Sequence, residues 1–156
     1  MRSRTPIPMK WAMLLLLVFI TTTGWADWED YKPSTMVRIV RERAPGEKAD
    51  FIYEMGDFRY QVRLKYAGAK RPIAALRRSL ITNWLKAGRQ DPALAAMFTH
   101  EVRFDEGKQA YWLPVQSRVL PYIEREVKVG DVTTVYLVYA GLAKGDWVFL
   151  VNDFQP

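Results

Sequence analysis

One histidine and the three serines that follow the amino-terminal segment are the residues whose types could support nucleophilic catalysis. His100 is the only histidine, and Ser34, Ser79 and Ser117 are the candidate nucleophiles. A Ser–His–acid triad is recognised by the serine lying beside the histidine, and none of the three serines stands in the Gly-x-Ser-x-Gly sequence of a nucleophile elbow. The sequence therefore disfavours a triad. We expect His100 to end a helix, where it would interact with the last carbonyl groups.

Two pairs of carboxylates could support hydrolysis of a glycosidic bond. They are Asp105 with Glu106, and Glu124 with Glu126. Glycosidases need two carboxyl groups facing each other across the scissile bond. The first pair falls in an expected turn and the second in a charge-alternating segment, so structural roles are favoured. A carboxylate-dependent hydrolase of envelope polysaccharide or peptidoglycan stays open as an alternative function.

The sequence predicts no cofactor and no metal site. It contains no glycine-rich phosphate loop, Walker sequence or calcium loop. It also has no cysteine, which removes thiolate nucleophiles and zinc–thiolate sites. A histidine-based zinc site would need several carboxylates as further ligands. We therefore expect a protein that is not an enzyme.

The segment Phe58–Gln90 is strongly basic and contains no acid. If its polar faces lie together, they form a positive patch able to bind phosphate, lipopolysaccharide or another anionic polymer. A solvated face balanced by acids such as Glu101 is the open alternative. The candidate anion-binding residues are Arg59, Arg63, Lys65, Lys70, Arg71, Arg77, Arg78, Lys86 and Arg89.

The aromatic residues within this basic segment could stack on bases. However, Tyr60, Tyr66 and Trp84 share the apolar phase of their expected strand and helix, so they should point inward. The sequence therefore disfavours nucleic acid as a partner.

The amino-terminus has the three parts of a secretory signal peptide. Basic residues precede an apolar run from Trp11 to Ile20, and the small residues Gly24 and Ala26 precede Asp27. Ten helical residues span about 15 Å, half of a bilayer core. We therefore predict cleavage between Ala26 and Asp27, no membrane span afterwards, and a periplasmic or extracellular location. An uncleaved anchor is the alternative.

Removal of residues 1–26 changes the charge of the chain. Three of the 23 basic residues leave and all 17 acids stay, so the formal net charge falls from +6 to +3. We predict a flexible lead-in over 27–35 and one β-rich domain over 36–156. Because the chain has no disulfides, this domain must be held by its packed core and its hydrogen bonds.

Period-two alternation indicates several strands. Phe58, Tyr60, Val62, Leu64 and Tyr66 alternate with polar residues, as in a strand buried on one face. Another strand is expected to begin near Met36. The segment Phe51–Met55 is expected to pair with the Phe58–Tyr66 strand in a hairpin that turns at Gly56 and Asp57. The segment Val132–Tyr139 is apolar or β-branched on both faces, which predicts a central strand. The segment Asp146–Phe154 is largely apolar on both faces. We expect it to be central too, and an edge strand that could pair with another chain is the alternative. Pro114 and Pro121 favour an edge strand or irregular structure around them.

Helical spacing begins after Pro72. Ile73, Leu76, Leu80, Trp84 and Leu85 form an apolar face and predict an amphipathic helix over about 72–87. A short second helix over about 92–98 follows, with Asp91 and Pro92 at its start.

These elements predict a mainly β, α+β fold. It would be a small antiparallel barrel or rolled sheet of about six or seven strands, with both helices inserted after the third strand and the longer one plugging one end. The element order resembles an OB-type barrel, but seven candidate strands exceed the five of that fold. We expect an exported, non-enzymatic binding domain of the cell envelope whose partner is a protein or an anionic polymer. A scaffold subunit of a secreted or periplasmic complex is a further alternative.

Overall fold

The computed structural model of the chain describes residues 28–43 and 51–156. The predicted signal peptide and its cut between Ala26 and Asp27 lie outside these residues. Strands hold 48% and helices 30% of the described part, so the protein is mainly β, as predicted. The described part contains seven strands, three α-helices and two short 3-10 helices.

The strands are β1 (Lys32–Ser34), β2 (Phe51–Tyr53), β3 (Arg59–Pro72), β4 (Phe98–Glu106), β5 (Gln109–Gln116), β6 (Val132–Ala143) and β7 (Asp146–Gln155). The helices are α1 (Met36–Glu42), α2 (Ala75–Ala87) and α3 (Leu120–Glu126). The 3-10 helices are Trp28–Asp30 and Pro92–Met97.

Five of the strands close a ring of hydrogen bonds. The order is β3-β4-β5-β7-β6, and β6 pairs again with β3. Strand β6 thus lies beside β3, the first strand of the β3-β4-β5 meander, which is a Greek-key arrangement. Because β1 and β2 lie outside the ring, the closed part of the sheet has five strands, which is the number in an OB-type barrel.

The ring encloses the larger of two apolar clusters. Alternate residues of β3, from Tyr60 to Tyr66, point into it, as their period predicts. Strands β6 and β7 are central, as predicted, because each has neighbours on both sides. The interior is completed by residues of α1 and α3, among them Met36, Ile39 and Ile123, all fully buried. These two helices therefore contribute to the barrel core.

Helix α2 packs on the outside of the barrel. Its Leu80, Ile81 and Leu85 form the second apolar cluster with Ala140 of β6 and with residues of β7. Strand β7 alternates between the two clusters, with Val148 in the outer one and Phe149 in the inner one. The predicted helix and its insertion after β3 are confirmed, whereas its predicted place at a barrel end is wrong.

The expected strand near Met36 is helix α1. Thr35 caps the helix by accepting a hydrogen bond from the Arg38 backbone N–H at 3.2 Å. Met36, Ile39 and Val40 stand at spacings i, i+3 and i+4, which place them on one face towards the core. The alternation of Val37 and Ile39 was misleading, because Val37 is exposed.

The carboxylates Glu124 and Glu126 lie in helix α3, and Glu126 is the last residue of this helix. The sequence placed both of them in a strand or loop. Pro121 occupies the first turn of this helix, where the missing N–H of proline has no cost. Leu120 and Ile123 are buried at the spacing i, i+3. The proline that indicated irregular structure therefore starts a helix.

The segment that the sequence assigned to a lead-in contains regular structure. Strand β1 pairs in parallel with β3, with Pro33 opposite Gln61. Trp28 stacks on Tyr136 with ring centroids 5.4 Å apart, and Tyr31 meets the same ring edge-on at 5.1 Å. These aromatic contacts join residues 28–34 to the outer face of β6. Within the described residues, no helix has the length and apolarity needed to cross a membrane.

Candidate functional site

Four of the nine basic residues predicted to bind anions are engaged in ion pairs. Arg59 pairs with Asp30 and Asp57 at 2.8 and 2.6 Å, and Lys70 pairs with Glu124 at 2.6 Å. Arg71 and Arg77 both pair with Glu101. Apart from Asp57, the acids that balance these four are close in space although distant in sequence.

The Glu101 cluster comprises Glu101, Arg71, Arg77, Trp112 and Asp146. Glu101 is fully buried and lies 2.8 Å from Arg71 Nε and 3.1 Å from Arg77 Nη1. Arg77 Nη1 donates a hydrogen bond to the Trp112 carbonyl, and Nη2 lies 3.7 Å from Asp146. The Arg71 guanidinium stacks over the Trp112 ring at 4.2 Å. This cluster joins α2 to β4, β5 and β7.

Arg77 is only 8% exposed, so the expectation that it lies on the polar face of its helix is wrong. Its position was readable in the sequence. Ile73, Arg77 and Ile81 are four residues apart, which places Arg77 in the middle of the apolar face. A buried arginine needs a buried anion, and the anion is Glu101.

The Arg77 side chain reaches from α2 to β4 and β5, and it covers part of their outer face there.

The aromatic residues of the basic segment do not form a stacking surface. Tyr60 and Tyr66 are 7% and 6% exposed and belong to the barrel interior, as predicted. Trp84 is half-buried against the outer cluster and donates its indole N–H to the Glu54 carbonyl at 3.2 Å. Base stacking would require exposed ring faces at these positions.

Three of the five remaining cations lie on helix α2 or directly after it. Arg78 and Lys86 lie eight residues apart on its outer side, which separates them by about 12 Å along the axis, and Arg89 follows the helix. All three side chains are exposed, and none has an acidic partner among the described residues. We call Arg78, Lys86 and Arg89 the α2 cations. Arg63 and Lys65 are also exposed, on β3, but Lys65 lies opposite Asp105.

A shallow depression of about 450 Å³ lies on the same side of α2. Its size falls within the usual range of ligand pockets, about 300–1,000 Å³. Besides Arg78 it offers the hydroxyl groups of Ser79 and Thr82 and the amide of Asn83. The lining residues are Ile73, Ala75, Arg78, Ser79, Thr82 and Asn83. Cation, hydroxyl and amide groups together suit an anionic or strongly polar ligand.

Each of the four carboxylates considered for hydrolysis has a structural partner. Glu106 accepts hydrogen bonds from the backbone N–H groups of Met36 and Val37, both at 2.9 Å, and so closes the start of α1. Asp105 pairs with Arg103 at 3.0 Å. Glu124 and Glu126, on α3 and its end, pair with Lys70 and Arg125 respectively. The two predicted pairs thus lie on different elements.

His100 lies in strand β4 rather than at a helix end. Its Nδ1 is 2.9 Å from the Thr99 hydroxyl, which is in turn 3.1 Å from the Ser117 hydroxyl. A threonine therefore stands between the histidine and the nearest candidate serine. Ser34 and Ser79 lie on β1 and α2. The part of the chain that the structure describes contains no group of three side chains suited to holding a metal ion.

A half-buried polar cluster lies where α1 meets the barrel. Arg43 pairs with Glu54 at 2.9 Å, donates to the Tyr60 hydroxyl at 3.0 Å and stacks on Phe58 at 3.6 Å. Burial, with the nearby Glu54 carboxylate as a smaller cause, raises the pKa of Tyr139 well above its usual value. These contacts hold α1 and the residues after β2 against the barrel.

Comparison with known proteins does not add to this geometry. No protein-family model matches the chain, and the search of curated proteins gives no significant match.

Proposed function

We propose that this protein is an exported, non-enzymatic binding domain of the cell envelope that holds an anionic partner against the outer side of α2. The observation that supports the proposal most is the set of three α2 cations, exposed and without acidic partners among the described residues. The four paired cations of the basic segment, Arg59, Lys70, Arg71 and Arg77, are engaged by acids of the fold. The depression beside Arg78 gives the partner a shaped surface.

The proposal assigns no catalytic step to the chain. Glu106 caps a helix, and Asp105, Glu124 and Glu126 are held in ion pairs. A carboxylate acting in hydrolysis would have to leave its structural partner. The signal-like amino-terminus supports the location in the envelope.

The test compares two charge-reversal variants of the full chain. One replaces the α2 cations, as Arg78→Glu, Lys86→Glu and Arg89→Glu. The control reverses three other exposed cations, as Arg63→Glu, Lys108→Glu and Lys128→Glu. Arg77 is excluded, because a glutamate there would be buried beside Glu101 and would unfold the protein.

Each protein is immobilised and exposed to an envelope fraction across a salt series. We expect the wild type and the control to retain the same component, more weakly as ionic strength rises, because exposed charges are screened by salt. The α2 variant should retain at least about tenfold less. Equal retention by the α2 variant, or retention independent of salt, would exclude the proposed site.

A further inference from the structure

We propose that the free edge of strand β2 accepts an extended acidic segment of a partner protein as an added strand. This inference rests on the proposed function, since it specifies the partner as a protein and the contact as a β-strand.

Strand β2 has an unpaired edge. It pairs with β6 on one side, with Phe51 opposite Ala143 and Tyr53 opposite Gly141, and it ends the strand order. Within the described residues no other strand pairs with it. The N–H and C=O groups on such an edge are a template for another chain.

The other strand at the end of the sheet is protected, and β2 is not. Strand β1 has the sequence Lys-Pro-Ser. Proline has no N–H to donate and lysine is charged, and both discourage pairing at an edge. Strand β2 has the sequence Phe-Ile-Tyr, which contains neither. The protein thus blocks one edge and leaves the other open.

The open edge carries exposed apolar side chains in alternation. Phe51 and Tyr53 point to the same side and are 41% and 39% exposed. Met55, two residues further on, is 50% exposed. In strand addition the backbone supplies affinity and alternate side chains supply specificity. Phe51, Tyr53 and Met55 are alternate side chains of this kind.

Strand β2 is fixed beside α2. Asn83 donates to the Tyr53 hydroxyl at 3.3 Å, and Trp84 donates to the Glu54 carbonyl at 3.2 Å. The edge therefore already has its extended conformation, which lowers the entropic cost of binding. It is also continuous with the α2 depression through Asn83.

Among the residues that the structure describes, the charges around β2 that lack partners are positive. Lys144 directly follows Ala143, the residue opposite Phe51, and it is exposed. At the other end Met55 lies against Gly88, between Lys86 and Arg89. The nearby acids are engaged, because Glu54 pairs with Arg43 and Asp57 with Arg59. Charge complementarity therefore selects an acidic segment.

The first measurement selects from a random octapeptide library on the full chain. We expect enriched peptides that alternate apolar and acidic residues and contain no proline in the paired part. Their affinity should fall at least about tenfold when Lys86, Arg89 and Lys144 are changed to glutamate. The Arg63, Lys108 and Lys128 control should not change it. A library that yields no enriched peptide, or basic ones, overturns the proposal.

The second measurement follows amide hydrogen exchange in β2 with an enriched peptide. Strand addition should slow exchange of the outward-facing amides in Phe51–Tyr53 at least about tenfold, because they gain hydrogen-bond partners. Binding without this protection overturns strand addition. The proposal is also overturned if self-association of the full chain protects these amides without any peptide, since the added strand would then come from a second copy.

The two tests fail separately. If retention of the envelope component depends on the α2 cations but β2 amides stay unprotected, the binding domain stands and strand addition is wrong. If the α2 variant retains the component normally, the proposed function is wrong.

Discussion

At the residue scale, Glu101 and Arg77 determine how α2 sits on the barrel. Glu101 is fully buried between two arginines, and its Oε1 receives no well-directed hydrogen bond from the described residues. A buried charge of this kind is tolerated only while its partner remains. The pair therefore fixes the position of the helix that carries the exposed cations.

Glu101→Gln is expected to destabilise the protein by about 3–5 kcal/mol, because it leaves Arg77 buried with only Asp146, at 3.7 Å, to balance it. The double variant Arg77→Met with Glu101→Leu should recover most of this loss, since it removes both buried charges. Urea unfolding measures both values. If Glu101→Gln lowers the unfolding free energy by less than about 0.5 kcal/mol, the Glu101–Arg77 ion pair does not have the stabilising role assigned to it.

Tyr139 should make the protein sensitive to alkaline pH. Burial raises its pKa in the folded state, so above about pH 10 the unfolded chain releases this proton before the folded one does. The contribution of Tyr139 to the unfolding free energy is therefore at its full value below about pH 10. It falls as the pH rises above this value, by about 1.4 kcal/mol per pH unit.

Tyr139→Phe should remove that part of the pH dependence. Unfolding free energies between pH 9 and 11 test it, with exposed Tyr53→Phe as the control. Tyr66, Tyr111 and Tyr136 also have pKa values raised by burial, so only the difference between variants is informative. The same slope in wild type and Tyr139→Phe would contradict the assignment.

At the element scale, the sequence predicted the elements whose apolar period is long. Strand β3 alternates over nine residues, and α2 has a helical period over a similar length. The central strands β6 and β7 were predicted from their apolarity on both faces instead. The short helices α1 and α3 were missed, because seven residues hold too few apolar positions to distinguish period 3.6 from period 2. Thr35 as a cap and Pro121 in a first turn were the local signals available.

The candidate site was only partly predictable for a related reason. The nine cations were visible in the sequence, but which of them are paired depends on contacts between distant segments. Lys70 meets Glu124, and Arg71 meets Glu101, only after the barrel has closed. The free edge of β2 was not predicted, because the sequence placed this segment in a hairpin with β3, whereas it pairs with β6.

Glu106→Ala should weaken the start of α1. Its carboxylate accepts two backbone N–H groups, so its loss should cost about 1–2 kcal/mol. Glu124→Ala is the matched control, because its exposed pair with Lys70 is worth less than about 1 kcal/mol. Unfolding and amide exchange at Met36 and Val37 report the effect. Equal losses in the two variants would contradict the capping role.

Gly141→Ala should release β2 from β6. A Cβ at Gly141 would lie 2.0 Å from the Ile52 carbonyl oxygen, and the φ of +146° is unfavourable for other residues. Gly145→Ala also has a positive φ, but no atom lies within 4 Å of its Cβ. We expect Gly141→Ala to cost about 2 kcal/mol more than Gly145→Ala. Similar costs would show that β2 does not depend on this close approach.

At the scale of the whole molecule, the fold separates the apolar core from the proposed binding surfaces. The barrel interior and the layer beneath α2 hold the apolar core, and the Glu101 cluster joins them. The outer side of α2 and the edge of β2 contribute little to this core. Charge reversal there should therefore change binding with little effect on the unfolding free energy.

The proposed function requires the folded domain to work outside the cytoplasm. The most direct test is cell fractionation of the source cells followed by intact-mass measurement of the recovered protein. We predict a chain that begins at Asp27 and is found in the periplasm or the medium. A chain that still begins at Met1 and is found in the cytosol would contradict the account.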